Sequence, residues 1–197
     1  MTSPTDNLAV SEGGPSTTTH RDSGTTPAPA AAERERLAAM FEAHYDIVWR
    51  VLRRVGLSDA TAEDGAQQVF LIASRRMADI ELGKERAFLC ATAVRVAGPL
   101  RARPKRESPV EDAPEQVDDA TPHDLVQRKQ QRALLDRLLA QLDEDVRTVV
   151  VLAELEGLTK REVAEALGIP EGTAASRLRR GREELATLMR RWKEGQR

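Results

Sequence analysis

The stretch Leu158–Arg182, LTKREVAEALGIPEGTAASRLRRGR, limits what this chain can fold into more tightly than any other part of it. Glu162 follows Thr159 by three residues, the spacing of a capping box, in which hydroxyl and carboxylate satisfy the first free backbone donors of a helix. Val163, Ala164 and Leu167 continue as an apolar stripe at helical spacing, and Gly168-Ile169-Pro170 ends it. Gly168 suits a left-handed C-terminal position, and Pro170 is well placed to begin a second helix. That second helix turns Ala174 and Leu178 toward the first and carries Thr173, Ser176, Arg177, Arg180 and Arg182 largely elsewhere. Two short helices, a tight glycine turn and a basic second helix describe a helix-turn-helix, whose second helix fits the major groove of DNA. A helical hairpin with a solvated basic face would also explain the arginines. The small Ala164 at the helix crossing, the Gly168 turn and Ile169 behind it fit the DNA-reading version better.

The net charge of −2 means that affinity for nucleic acid has to come from a local patch. One exists: between Thr173 and Lys193 stand Arg177, Arg179, Arg180, Arg182, Arg190, Arg191 and Lys193 against only Glu183 and Glu184. Aromatic residues make up 3% of the chain while Ala, Leu, Val, Arg and Glu abound, which predicts an all-α protein. The single cysteine, Cys90, permits no disulfide framework and no Cys-based zinc site within the chain, and His20, His44 and His123 are too scattered to form a metal set. The chain has no phosphate-cradling glycine loop and no His paired with a nucleophile, so neither enzymatic activity nor a cofactor is expected. No run approaches the roughly 20 apolar residues of a membrane span, and no apolar secretory core opens the chain. No membrane insertion and a cytoplasmic location are expected.

Four segments follow from composition and periodicity. Residues 1–32, rich in Thr, Ser, Pro, Gly and Ala, hold too little apolar surface to offset the entropy of ordering and are expected to be a disordered tail. Residues 33–103 read as a three-to-four-helix bundle. Leu37, Met40, Phe41, Tyr45, Val48, Leu52 and Val55 mark the core of its first helix. After the Gly56-Leu57-Ser58-Asp59 break, Ala62, Ala66, Val69, Phe70, Ala73 and Met77 share one face of a second helix that runs to about Ala78, with Asp64, Gln67, Gln68, Leu71 and Arg75 opposite. A third helix spans about 83–103, with a kink or early end expected at Gly98-Pro99 because proline removes a helical hydrogen bond at a cost of about 3 kcal/mol. Residues 104–124, alternating prolines with acids, are expected to be a flexible linker. Residues 125–193 read as a four-helix domain. A long amphipathic helix runs Leu125–Leu142, a second starts at Asp143-Glu144-Asp145 with Val146, Val149 and Val150 inward, and the helix-turn-helix follows.

Two motifs in this order are similar to a known family. Leu142, Arg147, Val151-Leu152, Glu156-Gly157-Leu158, Glu162-Val163-Ala164, Leu167-Gly168-Ile169-Pro170, Gly172-Thr173 and Ser176-Arg177-Leu178 resemble region 4 of bacterial sigma-70-type RNA polymerase sigma factors, specifically the extracytoplasmic-function group. Ala62 to Leu71, AEDGAQQVFL, resembles region 2.2 of the same family.

The resemblance implies roles. Region 2 would dock on the β′ clamp of core RNA polymerase through Asp64, Gln67, Gln68 and Leu71, and would open the −10 promoter element, with Arg95, Arg101 and Arg103 as the DNA-contacting candidates. Region 4 would touch the β flap and read the −35 element through Glu171, Thr173, Ala174, Ser176, Arg177 and Arg180. An anti-sigma factor is the expected regulatory partner. A linker of about twenty residues can stretch to ~65–70 Å at ~3.3–3.6 Å per residue. Promoter elements roughly 16 base pairs apart lie ~55 Å from one another at ~3.4 Å per pair, so two tethered domains can hold both at once. The rival reading is a helix-turn-helix regulator, or a relative degenerate in region 2, that binds DNA without initiating transcription.

Overall fold

The computed structural model describes residues 29–102 and 122–195, and every regular element in them is helical. The first unit comprises α1 (Pro29–Arg54), α2 (Asp59–Arg75), a short 3-10 turn (Met77–Asp79) and α3 (Glu85–Arg101). The second comprises α4 (Pro122–Leu139), α5 (Glu144–Val150) continued by a π-helical turn (Val151–Leu155), α6 (Lys160–Leu167) and α7 (Glu171–Glu194). The expected tail lies outside the described residues up to position 28, but α1 begins at Pro29, so residues 29–32 are helical. Most of the expected linker, with Arg103, also lies outside the described residues.

In the first unit α1 presents Met40, Val48, Val51 and Leu52 to the core, and Val55 follows them from the turn. A turn at Gly56, whose φ of +110° only glycine adopts without strain, sends the chain back. Arg53 braces that turn by donating to the Leu57 carbonyl and pairing with Asp59. Ser58 caps α2, accepting from the Thr61 N–H at 3.3 Å. Gly65 lets α2 cross closely: a Cβ there would sit 3.1 Å from Leu52 Cδ1 and 3.3 Å from Leu100 Cδ1. The second helix stops at Arg75 rather than near Ala78, because the chain tightens into the 3-10 turn that buries Met77. The helix does not end at Gly98-Pro99, one of the two outcomes expected there: α3 runs through Pro99 to Arg101. A proline so close to a helix end costs one hydrogen bond, at the Arg95 carbonyl, with little helix left to disrupt.

In the second unit α4 ends at Leu139, three residues before the expected Leu142. The cause is a side chain on the next helix. Arg147 donates to the carbonyls of Leu139 (2.8 Å), Ala140 (3.0 Å) and Leu142 (2.9 Å), closing off the end of α4. The α5 valines pack against α7 at Gly181, where a Cβ would fall 2.3 Å from Val150 Cγ2 and 3.0 Å from Val146 Cγ1.

The two units are in contact rather than merely tethered. Helix α3 packs on α6, α1 meets the π turn, and the buried residues of both units form one continuous cluster.

Candidate functional site

The helix-turn-helix forms as its local chemistry dictates. The Glu162 N–H donates to Thr159 Oγ1 at 3.2 Å, and the Thr159 N–H donates to Glu162 Oε2 at 2.9 Å, completing the capping box. The Thr159 backbone N–H, then its hydroxyl, hold the Glu162 carboxyl below the usual carboxylate range, with Lys84 adding to the effect. Gly168 takes the left-handed conformation at φ +64°, and the Ile169 N–H returns to the Ala164 carbonyl at 3.0 Å. Pro170 caps α7 from just outside it, its carbonyl accepting from Thr173 and Ala174, rather than forming the first helical residue.

Helix α7 divides its residues between α6, α5 and solvent. Ala174 (1% exposed) and Leu178 are buried against α6, so the expectation that Ala174 faces DNA is incorrect: the methyl group that lets the helices approach cannot also reach a base. Arg177 binds Asp145 at 2.5 Å, and Arg180 binds Asp143 and Glu184, each at 2.6 Å, which turns both arginines toward the N-terminus of α5. Glu171 and Ser176 are exposed and Thr173 is half-buried. A shallow groove of about 380 Å³ beside α6 is lined by Lys160, Ser176, Arg179 and Arg182 among others. Two of these cations are themselves paired, Arg182 donating to Glu154 at 2.6 and 2.9 Å and Arg179 lying 3.5 Å from Glu183. Lys160 was not among the residues singled out from the sequence; Arg179 and Arg182 belong to the basic stretch that the sequence marks as a phosphate footprint.

On the first unit, Asp64, Gln67, Gln68 and Leu71 are all exposed and share one face of α2 at helical spacing. Leu71 is 52% exposed. The reading of Phe41 as a core residue is also incorrect, because it is 45% exposed, resting at 4.9 Å ring separation on Tyr45 and on Phe70. An exposed leucine and aromatic ring within a polar surface are what a protein-docking face requires.

The −10 candidates are not brought together. Arg95 lines a groove between α3 and α6, its Nε donating to the Ala91 carbonyl at 3.2 Å. Arg101 donates to the Val55 carbonyl at 2.8 Å and pairs with Glu144 of the second unit at 2.5 Å. Arg103 lies outside the described residues. Among the described residues there is no group of three His, Cys, Asp or Glu side chains that could hold a metal ion, and no helix long and apolar enough to cross a membrane.

Comparison with known proteins supplies independent observations. Residues 40–103 match the family Sigma-70 region 2, and residues 132–185 match Sigma-70, region 4. The chain is 31% identical over 161 residues to the ECF RNA polymerase sigma factor SigL of Mycobacterium tuberculosis, covering 76% of this chain and 86% of that protein. It is 29% identical over 146 residues to the ECF RNA polymerase sigma factor SigE of Mycolicibacterium smegmatis, covering 72% of this chain but only 57% of that longer protein. Among solved structures, CnrH in complex with the cytosolic domain of CnrY aligns with a TM-score of 0.60 at 20% identity, over 81% of this chain and 93% of that one. The sigma factor RpoE in complex with the anti-sigma factor NepR from Bartonella quintana aligns at 0.57 and 19%, over 80% and 96%. At these identities the two structures speak to the fold.

Proposed function

The chain belongs to the extracytoplasmic-function group of the sigma-70 family of RNA polymerase sigma factors, and from that premise we propose that it is a transcription initiation factor that binds core RNA polymerase and directs it to promoters. The observation that carries this reading is the presence in one chain of two different surfaces, an exposed polar and apolar face on α2 and a cation-lined groove on the helix-turn-helix. A DNA-binding regulator acting alone would need only the second.

Asp64, Gln67, Gln68 and Leu71, extended by Phe41, form the polymerase-docking face on the β′ clamp. The second unit reads the −35 element and meets the β flap. Ser176 and Thr173 supply hydroxyls to the major groove, while Lys160, Arg179 and Arg182 neutralise phosphates along its edge. Arg177, Arg180 and Arg182 reach DNA by exchanging a carboxylate for a base or a phosphate. Arg101, with Arg95, serves the −10 side once it is released from Glu144. An anti-sigma protein is the expected antagonist.

Paired substitution tests the division of labour. Asp64→Ala with Gln67→Ala is expected to lose core-polymerase binding in a pull-down while retaining affinity of the second unit for promoter duplex. Undiminished polymerase binding by the double variant would contradict the docking role of α2.

A further inference from the structure

Helix α7 carries two kinds of ion pair. Arg179 with Glu183 at 3.5 Å and Arg180 with Glu184 at 2.6 Å stand four residues apart on the helix itself, the ordinary pairing of an exposed helical surface. Three other pairs reach across the unit, over 28 to 37 residues of sequence. Arg177 binds Asp145 at 2.5 Å, Arg180 binds Asp143 at 2.6 Å, and Arg182 donates to one oxygen of Glu154 through Nη2 at 2.6 Å and Nε at 2.9 Å. Asp143 and Asp145 sit at the start of α5, and Glu154 sits in the π turn that continues it. One helical segment thus presents three carboxylates to three arginines of another.

Stability does not account for these pairs. All three acids are exposed, Asp145 by 67% and Asp143 by 65%, and exposed ion pairs contribute little to folding. Asp143 precedes α5 without making a side-chain capping bond to it. What the acids share is the set of guanidinium groups they hold. A carboxylate and a phosphodiester both present anionic oxygens, and arginine takes either in the same planar geometry. Each arginine therefore has to leave an internal anion before it takes one from DNA, and the free energy of the first contact is subtracted from the second. The subtraction applies to a phosphate and to a guanine edge alike.

We propose that Asp143, Asp145 and Glu154 are internal competitors for the recognition-helix arginines, stand-ins for DNA that limit how tightly the second unit holds its duplex. This rests on the reading of α7 as the helix that contacts the −35 element. A polymerase that moves downstream has to break its upstream contacts, so a moderated grip favours release as well as capture. Salt gives the competition a signature. It loosens the arginine–phosphate contacts and the arginine–carboxylate pairs together, so affinity falls less steeply with salt than the arginines alone would dictate.

The test measures the dissociation constant of the full chain with core polymerase on a labelled duplex that the wild type selects from random-sequence DNA. Asp143→Asn, Asp145→Asn and Glu154→Gln remove charge while keeping size and hydrogen-bonding capacity. Each is expected to tighten binding by up to about fivefold, the range of an exposed pair, and to steepen the fall of affinity with salt. The triple variant should also shift transcription severalfold from full-length run-off product toward short abortive product. A double-variant cycle separates competition from bulk charge: with Arg177→Ala already in place, Asp145→Asn should add nothing. Unchanged or weaker binding by the three single variants would overturn the proposal, and so would a gain from Asp145→Asn that persists without Arg177. Failure of the −35 reading looks different: Arg177→Ala alone would then leave wild-type affinity untouched, and the proposal would fall with it.

Discussion

Gly181 carries the tightest steric requirement of the second unit. A methyl group placed there would fall inside the contact distance of Val150 and Val146, so Gly181→Ala should destabilise the protein by about 1–3 kcal/mol, read as a lowered midpoint in urea. An unchanged midpoint would mean that α5 and α7 can part at no cost. The capping box gives a second residue-level test, through pH. The Glu162 carboxyl is held below its ordinary range when folded, so its contribution is present above the unfolded carboxyl pKa and is lost as pH falls through the folded one. Glu162→Gln should therefore lower stability at pH 7, and its difference from wild type should shrink as pH falls below the ordinary carboxylate range and through the depressed folded pKa, where the Glu162 side chain becomes neutral. Urea melts across that range decide it. Thr159 and Glu162 could be paired from the sequence because a cap depends on residues three apart. Arg177 could not be placed the same way. Whether a recognition-helix residue turns inward, outward or onto a neighbouring helix depends on α5, about thirty residues away, and Asp145 does not announce itself as the partner of Arg177.

At the level of elements, α7 and α2 carry opposite kinds of surface. The cation-lined side of α7 predicts that Arg179→Ala weakens binding to promoter duplex severalfold, and that its effect shrinks as salt rises, since a phosphate contact acts largely through counterion release. Arg177→Ala should weaken promoter-dependent transcription more than Arg190→Ala; equal losses would show that the DNA-facing side of α7 has been misassigned. Helix α3 offers a separate check of the first unit. Cys90 lies in its buried face with a thiol pushed up to about 12, so it should resist alkylation until the protein unfolds, and mass spectrometry after iodoacetamide pulses across a urea gradient would show this. The helices themselves were legible from their apolar spacing. Their ends were less so. Arg147 halts α4 from the following helix, and the rule against proline in helices does not say that a residue two positions from the C-terminus is tolerated.

For the whole molecule, the sequence suggested two independent modules on a slack tether, and the structure joins them. Nothing in a periodicity marks Glu156 as different from the many acids that stay in water; its burial follows only when Arg50, Arg54 and Arg86 are assembled around it from two other helices. The motifs that carry function were visible because each lies within a single helix or turn, whereas the contact between the units is spread over the chain. The most direct measurement concerns initiation itself. Purified full-length protein added to core RNA polymerase, with transcript starts mapped across a genomic template, should yield starts that depend on the protein and share a two-part upstream element whose −35 half binds the isolated complex through α7. Polymerase binding without any new start, or starts with no shared upstream sequence, would contradict a promoter-directing role.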